Sequence, residues 1–173
     1  MTPETDLKTF FDQMVSDYSP MLYAHIRTIV LNHDDADDVL QETLIKAWFG
    51  LPRFRSGAAV STWLYRIATN EALGFLRRQR WKQWIRPVES LKNDPVADIP
   101  ATEDAAALLQ QALKLLSVQQ RKIFGLRYFN ETPFKEIAEI LGLAEGTVKA
   151  TYHQSVKKIE SYLSTNFENG SEN

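Results

Sequence analysis

Apolar residues recur every three or four positions along most of this 173-residue chain, and this spacing constrains the fold more than any other feature. Successive stripes can be followed over residues 7–30, 36–51 and 63–76. This period places side chains on one face of an α-helix. Because no run of alternating polar and apolar residues lies between hairpin turns, the sequence predicts an all-α fold.

A change of composition divides the helical pattern in two. Three of the seven prolines, Pro87, Pro95 and Pro100, fall within fourteen residues. Proline lacks a backbone donor and disfavours helix in the residue before it. The sequence therefore predicts two small helical domains joined by a flexible linker, with the boundaries 1–84, 85–104 and 105–165 and a disordered tail at 166–173.

The composition favours a soluble, globular protein. Hydrophobic residues make up 44% and charged residues 24%, which is typical of a globular chain. The absence of cysteine favours a reducing compartment and excludes thiolate metal sites. The first residues show no secretory signal, and no apolar stretch approaches the roughly 20 residues of a membrane-spanning helix. We therefore expect a soluble, cytoplasmic protein.

The net charge of −2 hides a strong asymmetry. Residues 1–50 hold three Lys or Arg against nine Asp or Glu, whereas residues 51–92 hold nine against two. The stretch "FLRRQRWKQWIR", residues 75–86, gathers five cations and two tryptophans. Such blocks indicate different partners for different faces, although unevenly charged, solvated helices remain the alternative.

The second domain contains a helix-turn-helix pattern. Thr132 can cap a helix that starts at Pro133, and Gly142 can end it in a left-handed conformation. The next helix would turn Val148 and Tyr152 inward. Its outward face carries small donors and lysines, which suit entry into a DNA groove: Thr147, Lys149, Ala150, Thr151, His153, Gln154 and Lys157. An ordinary pair of packed helices is the alternative.

Sites for enzymatic chemistry are poorly supported. The stretch "DDADD", residues 34–38, satisfies a pattern that binds magnesium and diphosphate in helical prenyl-transferring enzymes, but no second acidic cluster accompanies it. The histidines His25, His33 and His153 lack ligand spacing, and no phosphate loop or nucleophile elbow occurs. We expect no enzyme activity, cofactor, metal or small-molecule substrate.

Three motifs in order resemble those of extracytoplasmic-function (ECF) sigma factors, the promoter-recognition subunits of bacterial RNA polymerase. They are "DDADDVLQETLIKAW", "FRSGAAVSTWLYRIATNEALGFLRR" and "LSVQQRKIFGLRYFNETPFKEIAEILGLAEGTVK". The resemblance covers residues 10–165 and implies binding to core polymerase and promoter DNA. A stand-alone helix-turn-helix regulator is the alternative, because that motif alone is shared by many proteins.

The resemblance implies roles for particular residues. The stripe at 36–51 is similar to the segment that grips the clamp coiled coil of the largest polymerase subunit. The residues implied for this contact are Asp37, Asp38, Gln41, Glu42 and Lys46. The loop and helix that follow resemble the element that binds the −10 region and its opened strand. The residues implied there are Phe54, Arg55, Ser56, Gly57, Trp63, Arg66, Asn70, Arg77 and Arg78.

The second domain would bind the −35 element through the outward face of its recognition helix. That helix lacks the arginines common in the family, which implies a different or weaker upstream element. Family members usually have an anti-sigma partner, and the resemblance implies one here. For Trp81 and Trp84, an apolar lip for the linker and base stacking remain equally open.

Overall fold

The computed structural model describes residues 3–54, 59–85 and 105–170, and within these ranges every regular element is helical. The helices are α1 (Pro3–Val30), α2 (His33–Gly50), α3 (Val60–Ile85), α4 (Ala105–Lys114), α5 (Val118–Tyr128), α6 (Phe134–Leu141) and α7 (Glu145–Gly170). A 3-10 turn, Leu51–Arg53, follows α2. The predicted all-α fold is confirmed. No helix in the described ranges is long and apolar enough to cross a bilayer.

Local side-chain bonds fix where two of the helices begin. The side chain of Asn32 accepts a hydrogen bond from the backbone N–H of Asp35 and so caps α2. Ser117 and Gln120 form a reciprocal capping box at the start of α5. Each cap satisfies backbone donors that a helix leaves unpaired in its first turn.

The predicted end of α6 is confirmed, but the predicted cap at its start is not. Gly142 ends the helix with φ of 65°, as predicted. The prediction that Thr132 caps α6 is wrong, because Pro133 occupies the N-cap position and provides no side-chain bond. Thr132 is instead buried, and its carbonyl accepts a hydrogen bond from Arg127.

Helix α7 continues to Gly170, into the stretch predicted as a tail. Polar side chains that weaken the apolar pattern bond to the helix itself. Thr165 Oγ1 donates to the carbonyl of Ser161 at 3.0 Å, and Asn166 Nδ2 donates to that of Tyr162 at 2.7 Å. The predicted linker residues 86–104 and the last residues 171–173 lie outside the described residues.

The two helical sets, α1–α3 and α4–α7, pack against each other as well as within themselves. Helix α5 lies on α1, and α6 lies on α3. Buried side chains from both sets belong to one apolar cluster, which includes Ile26, Leu64, Leu126 and Ile137. The two sets are therefore in contact in the free chain. The prediction of two domains joined by a flexible linker did not include this contact.

A close approach at Gly125 makes this contact possible. A Cβ placed on Gly125 would lie 3.0 Å from both Cβ and Oγ1 of Thr28. Thr28 is buried on α1, and its hydroxyl donates to the carbonyl of Ala24. Only a residue without a side chain lets α5 approach α1 this closely.

His25 is the most deeply buried histidine and lies beside the second set. Its Nε2 bonds to Thr69 Oγ1 at 2.8 Å, and its ring meets Tyr65 edge-on. Its Nδ1 has no hydrogen-bond partner within the described residues. Burial, together with the positive charge of Lys122, lowers the pKa of His25 to about 3.

We expect Gly125→Ala to loosen the contact between the sets, because its methyl group would overlap Thr28. Overpacking of this kind costs about 1–3 kcal/mol. Urea denaturation should show that loss of unfolding free energy, and small-angle scattering should show a larger radius of gyration. Gly146→Ala is the control, since nothing lies within 4 Å of its added Cβ. Unchanged stability and radius in Gly125→Ala would contradict this packing.

The pH dependence of stability should report the burial of His25. Because its folded pKa lies below the unfolded value of about 6.5, only the unfolded chain binds this proton between these values. The stabilising contribution is complete above pH 6.5 and falls as the pH drops towards 3. Between pH 7.5 and 5 we expect a loss of about 2 kcal/mol. His25→Gln should remove most of that slope, whereas His153→Gln, at an exposed site, should keep it.

Candidate functional site

The polar face of α2 presents acidic side chains to solvent. Asp38, Gln41 and Glu42 are exposed and line a shallow groove between α2 and α3, of about 290 Å³. We call these three residues the acidic face. Asp37 lies apart from it, since its carboxylate meets His33 Nε2 at 3.5 Å on the neighbouring side of the helix.

Two apolar side chains on α2, which sequence analysis did not identify, extend the acidic face. Ile45 is 51% exposed and Phe49 is 75% exposed. Together with Asp38 and Glu42 they follow the spacing of four, three and four residues that keeps side chains on one side of a helix. The surface is therefore acidic at one end and apolar at the other, a composition typical of protein interfaces.

Lys46 has a structural partner in addition to its predicted role. Its ammonium lies 2.5 Å from Glu71 Oε1 on α3, and the Glu71 side chain is only 11% exposed. Removing Lys46 would leave a nearly buried carboxylate without its cation, which is strongly unfavourable. The ion pair ties α2, which carries the acidic face, to α3.

The start of α3 is supported by aromatic packing. The rings of Phe54 and Trp63 lie 4.8 Å apart, and the indole of Trp63 also fills the space beside Gly50. Both residues are partly buried, so their rings pack together rather than project freely into solvent. The other predicted loop residues, Arg55, Ser56 and Gly57, lie outside the described residues.

Arg66 and Asn70 project from α3 towards the second helical set. Arg66 Nη2 donates to the backbone carbonyl of Glu139 on α6 at 2.7 Å. Asn70 lines a cavity of about 330 Å³ shared with the α6–α7 turn. Lys122 lines the same cavity, and partial burial lowers its pKa. Both side chains remain exposed, with α6 and the α6–α7 turn beside them.

A polar seam joins the first turn of α3 to α6. Ser61 Oγ and Thr62 Oγ1 both approach Glu136 Oε1, at 3.3 and 3.5 Å. With the bond from Arg66, the seam places two hydroxyls and a guanidinium of α3 on acceptors of α6. Hydrogen bonds of this kind are individually worth about 0.5–1.5 kcal/mol, so the seam adds a modest polar contribution to the apolar cluster that the two sets share.

The two arginines predicted together for DNA binding are neighbours on α3, and the guanidinium groups of both lie beside Gly74. Both are exposed. Arg77 lies in line with Arg66 and Asn70, since spacings of four and seven residues return to the same side of a helix. Arg78 instead lines the groove beside Asp38 and Glu42. Arg77 therefore belongs to the basic side of α3, whereas Arg78 borders the acidic face.

Helix α7 presents most of its predicted outward face to solvent. The exposed residues are Thr147, Lys149, Ala150, His153, Gln154 and Lys157, and Thr151 is half-buried. Val148 and Ser155 are fully buried on the opposite side. The Lys149 ammonium pairs with Glu145 at 2.8 Å, one turn earlier. Helix α7 therefore has an exposed outer face with hydrogen-bonding side chains, as predicted.

Within the described ranges, no group of three or more His, Asp or Glu side chains is arranged to hold a metal ion. The surfaces described above are open to solvent, and they combine charged, polar and apolar side chains. They suit contact with macromolecules through charge and shape rather than the holding of a small substrate.

Two family models match this chain, and each follows one helical set. The model described as sigma-70 region 2 matches residues 14–82, which run from α1 into α3. The model described as sigma-70, region 4 matches residues 106–159, which run from α4 into α7. Every predicted site residue falls within one of these two ranges.

Curated relatives and a solved structure resemble the chain over most of its length. The ECF RNA polymerase sigma factor SigM of Mycobacterium tuberculosis is 35% identical, over 90% of this chain and 79% of that protein. SigW of Bacillus subtilis is 30% identical, over 88% of each chain. The sigma factor RpoE of Bartonella quintana, in complex with the anti-sigma factor NepR, superposes with a TM-score of 0.75 at 26% identity, over 89% of this chain and 96% of that one.

Proposed function

This chain belongs to the ECF RNA polymerase sigma factors, and we propose that it joins core polymerase to promoter DNA through three separate surfaces. The acidic face with Ile45 and Phe49 binds core polymerase, the basic side of α3 binds opened −10 DNA, and α7 binds the −35 element. The separation of acidic and basic residues onto α2 and α3 supports this proposal most strongly. A stand-alone regulator is set aside because models of both sigma regions match.

The surface of α2 has the charge and the apolar exposure that a contact with core polymerase needs. Carboxylates at Asp38 and Glu42 attract a basic partner and repel phosphate. The exposed rings and methyl groups of Phe49 and Ile45 offer the apolar surface that a stable protein contact buries. These properties fit the clamp coiled coil of the largest subunit as the partner.

Exposed hydrogen-bond donors on α3 and α7 support the proposed DNA contacts. Arg66, Asn70 and Arg77 project from one side of α3, where cations neutralise phosphates and an amide can bond to an unpaired base. On α7, Gln154 offers an amide for a base edge in the major groove, and Lys157 offers a cation for phosphate. The protein acts as a binding subunit in the cytoplasm, where its polymerase works, and supplies no catalytic group.

Promoter binding requires the two helical sets to separate. The −10 and −35 elements lie about 25 base pairs apart by their names, or about 85 Å along a duplex at about 3.4 Å per base pair. Here the α6–α7 turn shares a cavity with Asn70. The 19 residues 86–104 can span up to about 65 Å when extended, which together with the domains themselves suffices for an open form.

The closed arrangement also suggests how an inhibitor would act. The Bartonella relative was solved with its anti-sigma factor bound. For this chain we propose an anti-sigma partner that stabilises the seam between α3 and α6 and so keeps Arg66 and Asn70 beside the second helical set. Such a partner would bind the closed form more tightly than the open one, which is the only way a ligand shifts a conformational equilibrium.

Reversing charge on the acidic face should abolish binding to core polymerase. We expect Asp38→Arg combined with Glu42→Arg to lose core association by at least about tenfold in a pull-down, because each substitution replaces attraction with repulsion. Asp17→Arg combined with Glu160→Arg changes the net charge equally at exposed sites elsewhere and should bind normally. Helicity by circular dichroism checks folding. Equal affinity of both double variants would refute the assignment of this face.

Locking the seam should stop transcription reversibly. The chain has no cysteine, so Ser61→Cys with Glu136→Cys can be joined by a short, reducible bis-thiosulfonate cross-linker. We expect the cross-linked protein to direct at least about tenfold less transcription with core polymerase, and reductant to restore it. Gln13→Cys with Asp17→Cys, joined within α1, is the matched control and should stay active. Full activity of the locked protein would show that the sets need not separate.

A further inference from the structure

The C-terminal end of α3 projects beyond the helices that pack against it. Gly74 is the last buried residue of α3, and every residue from Arg80 to Ile85 is exposed. Trp81 and Trp84 are 61% and 76% exposed, and their rings lie 5.5 Å apart with planes inclined by 34°. Two neighbouring indoles in water form an apolar patch that favours a partner.

The two tryptophans continue the basic side of α3. Arg66, Asn70, Arg77, Trp81 and Trp84 are separated by four, seven, four and three residues. At 3.6 residues per turn these positions fall within an arc of about 60°, along about 27 Å of helix. The indoles therefore lie at the end of the same stripe that carries the proposed contacts to opened DNA.

The surroundings of the tryptophans select an anionic, planar ligand. From Ala72 to Ile85 the sequence contains Arg77, Arg78, Arg80 and Lys82 and no acidic residue. Cations beside exposed aromatic rings are the usual means of holding single-stranded nucleic acid, whose unpaired bases stack on the rings. A duplex keeps its base faces covered except at its ends, so indoles gain little from intact duplex.

We infer that Trp81 and Trp84 form a stacking platform for an unpaired base at the edge of the opened promoter segment, with Arg77 and Arg80 on adjacent phosphates. This inference rests on the proposed function, since the stripe leads from Asn70 to the platform. The platform lies away from the seam between α3 and α6. It is therefore accessible in the closed protein, whereas Arg66 is bonded to α6 and Asn70 lies beside the α6–α7 turn.

The test is titration of the full chain with a twelve-residue oligo(dT) at low salt, followed by tryptophan fluorescence. We expect the oligonucleotide to quench emission and to bind more tightly than a dA–dT duplex of equal length. Trp81→Ala with Trp84→Ala should weaken single-strand binding about tenfold and remove the quenching, whereas Trp81→Phe with Trp84→Phe should keep most of the affinity. Phe10→Ala, another exposed ring, is the control and should change neither.

Several results would overturn the inference. Equal loss of duplex and single-strand binding in the alanine variant would mean that the indoles only support the helix. Loss of binding to vesicles rich in anionic lipid, with single-strand binding intact, would assign the patch to a membrane. A blue-shifted emission that DNA leaves unchanged would mean that the chain itself covers the rings.

Transcription with core polymerase separates this inference from the proposed function. If the unsubstituted protein directs transcription but the alanine variant binds oligo(dT) normally, only the platform is wrong. If the unsubstituted protein directs none, the proposed function fails. We expect a template opened in advance to recover less than half of the transcription lost by the alanine variant, because the platform contacts the opened strand itself. Full recovery would contradict that contact.

Discussion

The close packing of α3 against α1 and α2 determines what the rest of the molecule can present outward. Ala68 and Ala72 on α3 are fully buried, as are Ala36 and Ala47 on α2. Small residues at these positions let helix backbones approach closely, and the packing then fixes the rotation of α3 about its axis. Because that rotation is fixed, the basic side of α3 and the groove beside the acidic face lie on different sides of α3.

Features that depend on local spacing could be predicted from the sequence. The all-α fold follows from the apolar period, and the left-handed end of α6 follows from Gly142. The outward face of α7 follows from the burial of Val148 and its neighbours at helical spacing. These features need only residues within a few turns of one another, so no knowledge of tertiary contacts was required.

Features that depend on distant contacts could not be predicted. Nothing around Gly125 indicates that it will meet Thr28, which lies 97 positions earlier. The sequence around Lys46 indicates only an exposed cation. Its ion pair with Glu71 depends on the packing of α3 beside α2. The exposure of Phe49 was not predicted, because an apolar residue in a helix is by default assigned to the core.

Acidic residues gather on the exposed face of α2 and basic residues on α3, while the whole chain stays nearly neutral. The same separation leaves the recognition helix α7 modest in charge, with Lys149 already paired to Glu145. Weak contacts at α7 would suffice if the rest of the protein holds it near its target. The connection between Ile85 and Ala105 provides that proximity.

This connection has a consequence for how the protein responds to its own abundance. On the proposed function, the seam on α3 and the upstream DNA of a bound promoter compete for α6 and α7, and both competitors are held on the same complex. Linked sites experience an effective concentration set by the length of the connection rather than by the bulk solution. On the proposed function, the exchange of α6 and α7 between the seam and upstream DNA within one complex is unimolecular, so its equilibrium depends on the length of the connection rather than on the concentration of that complex.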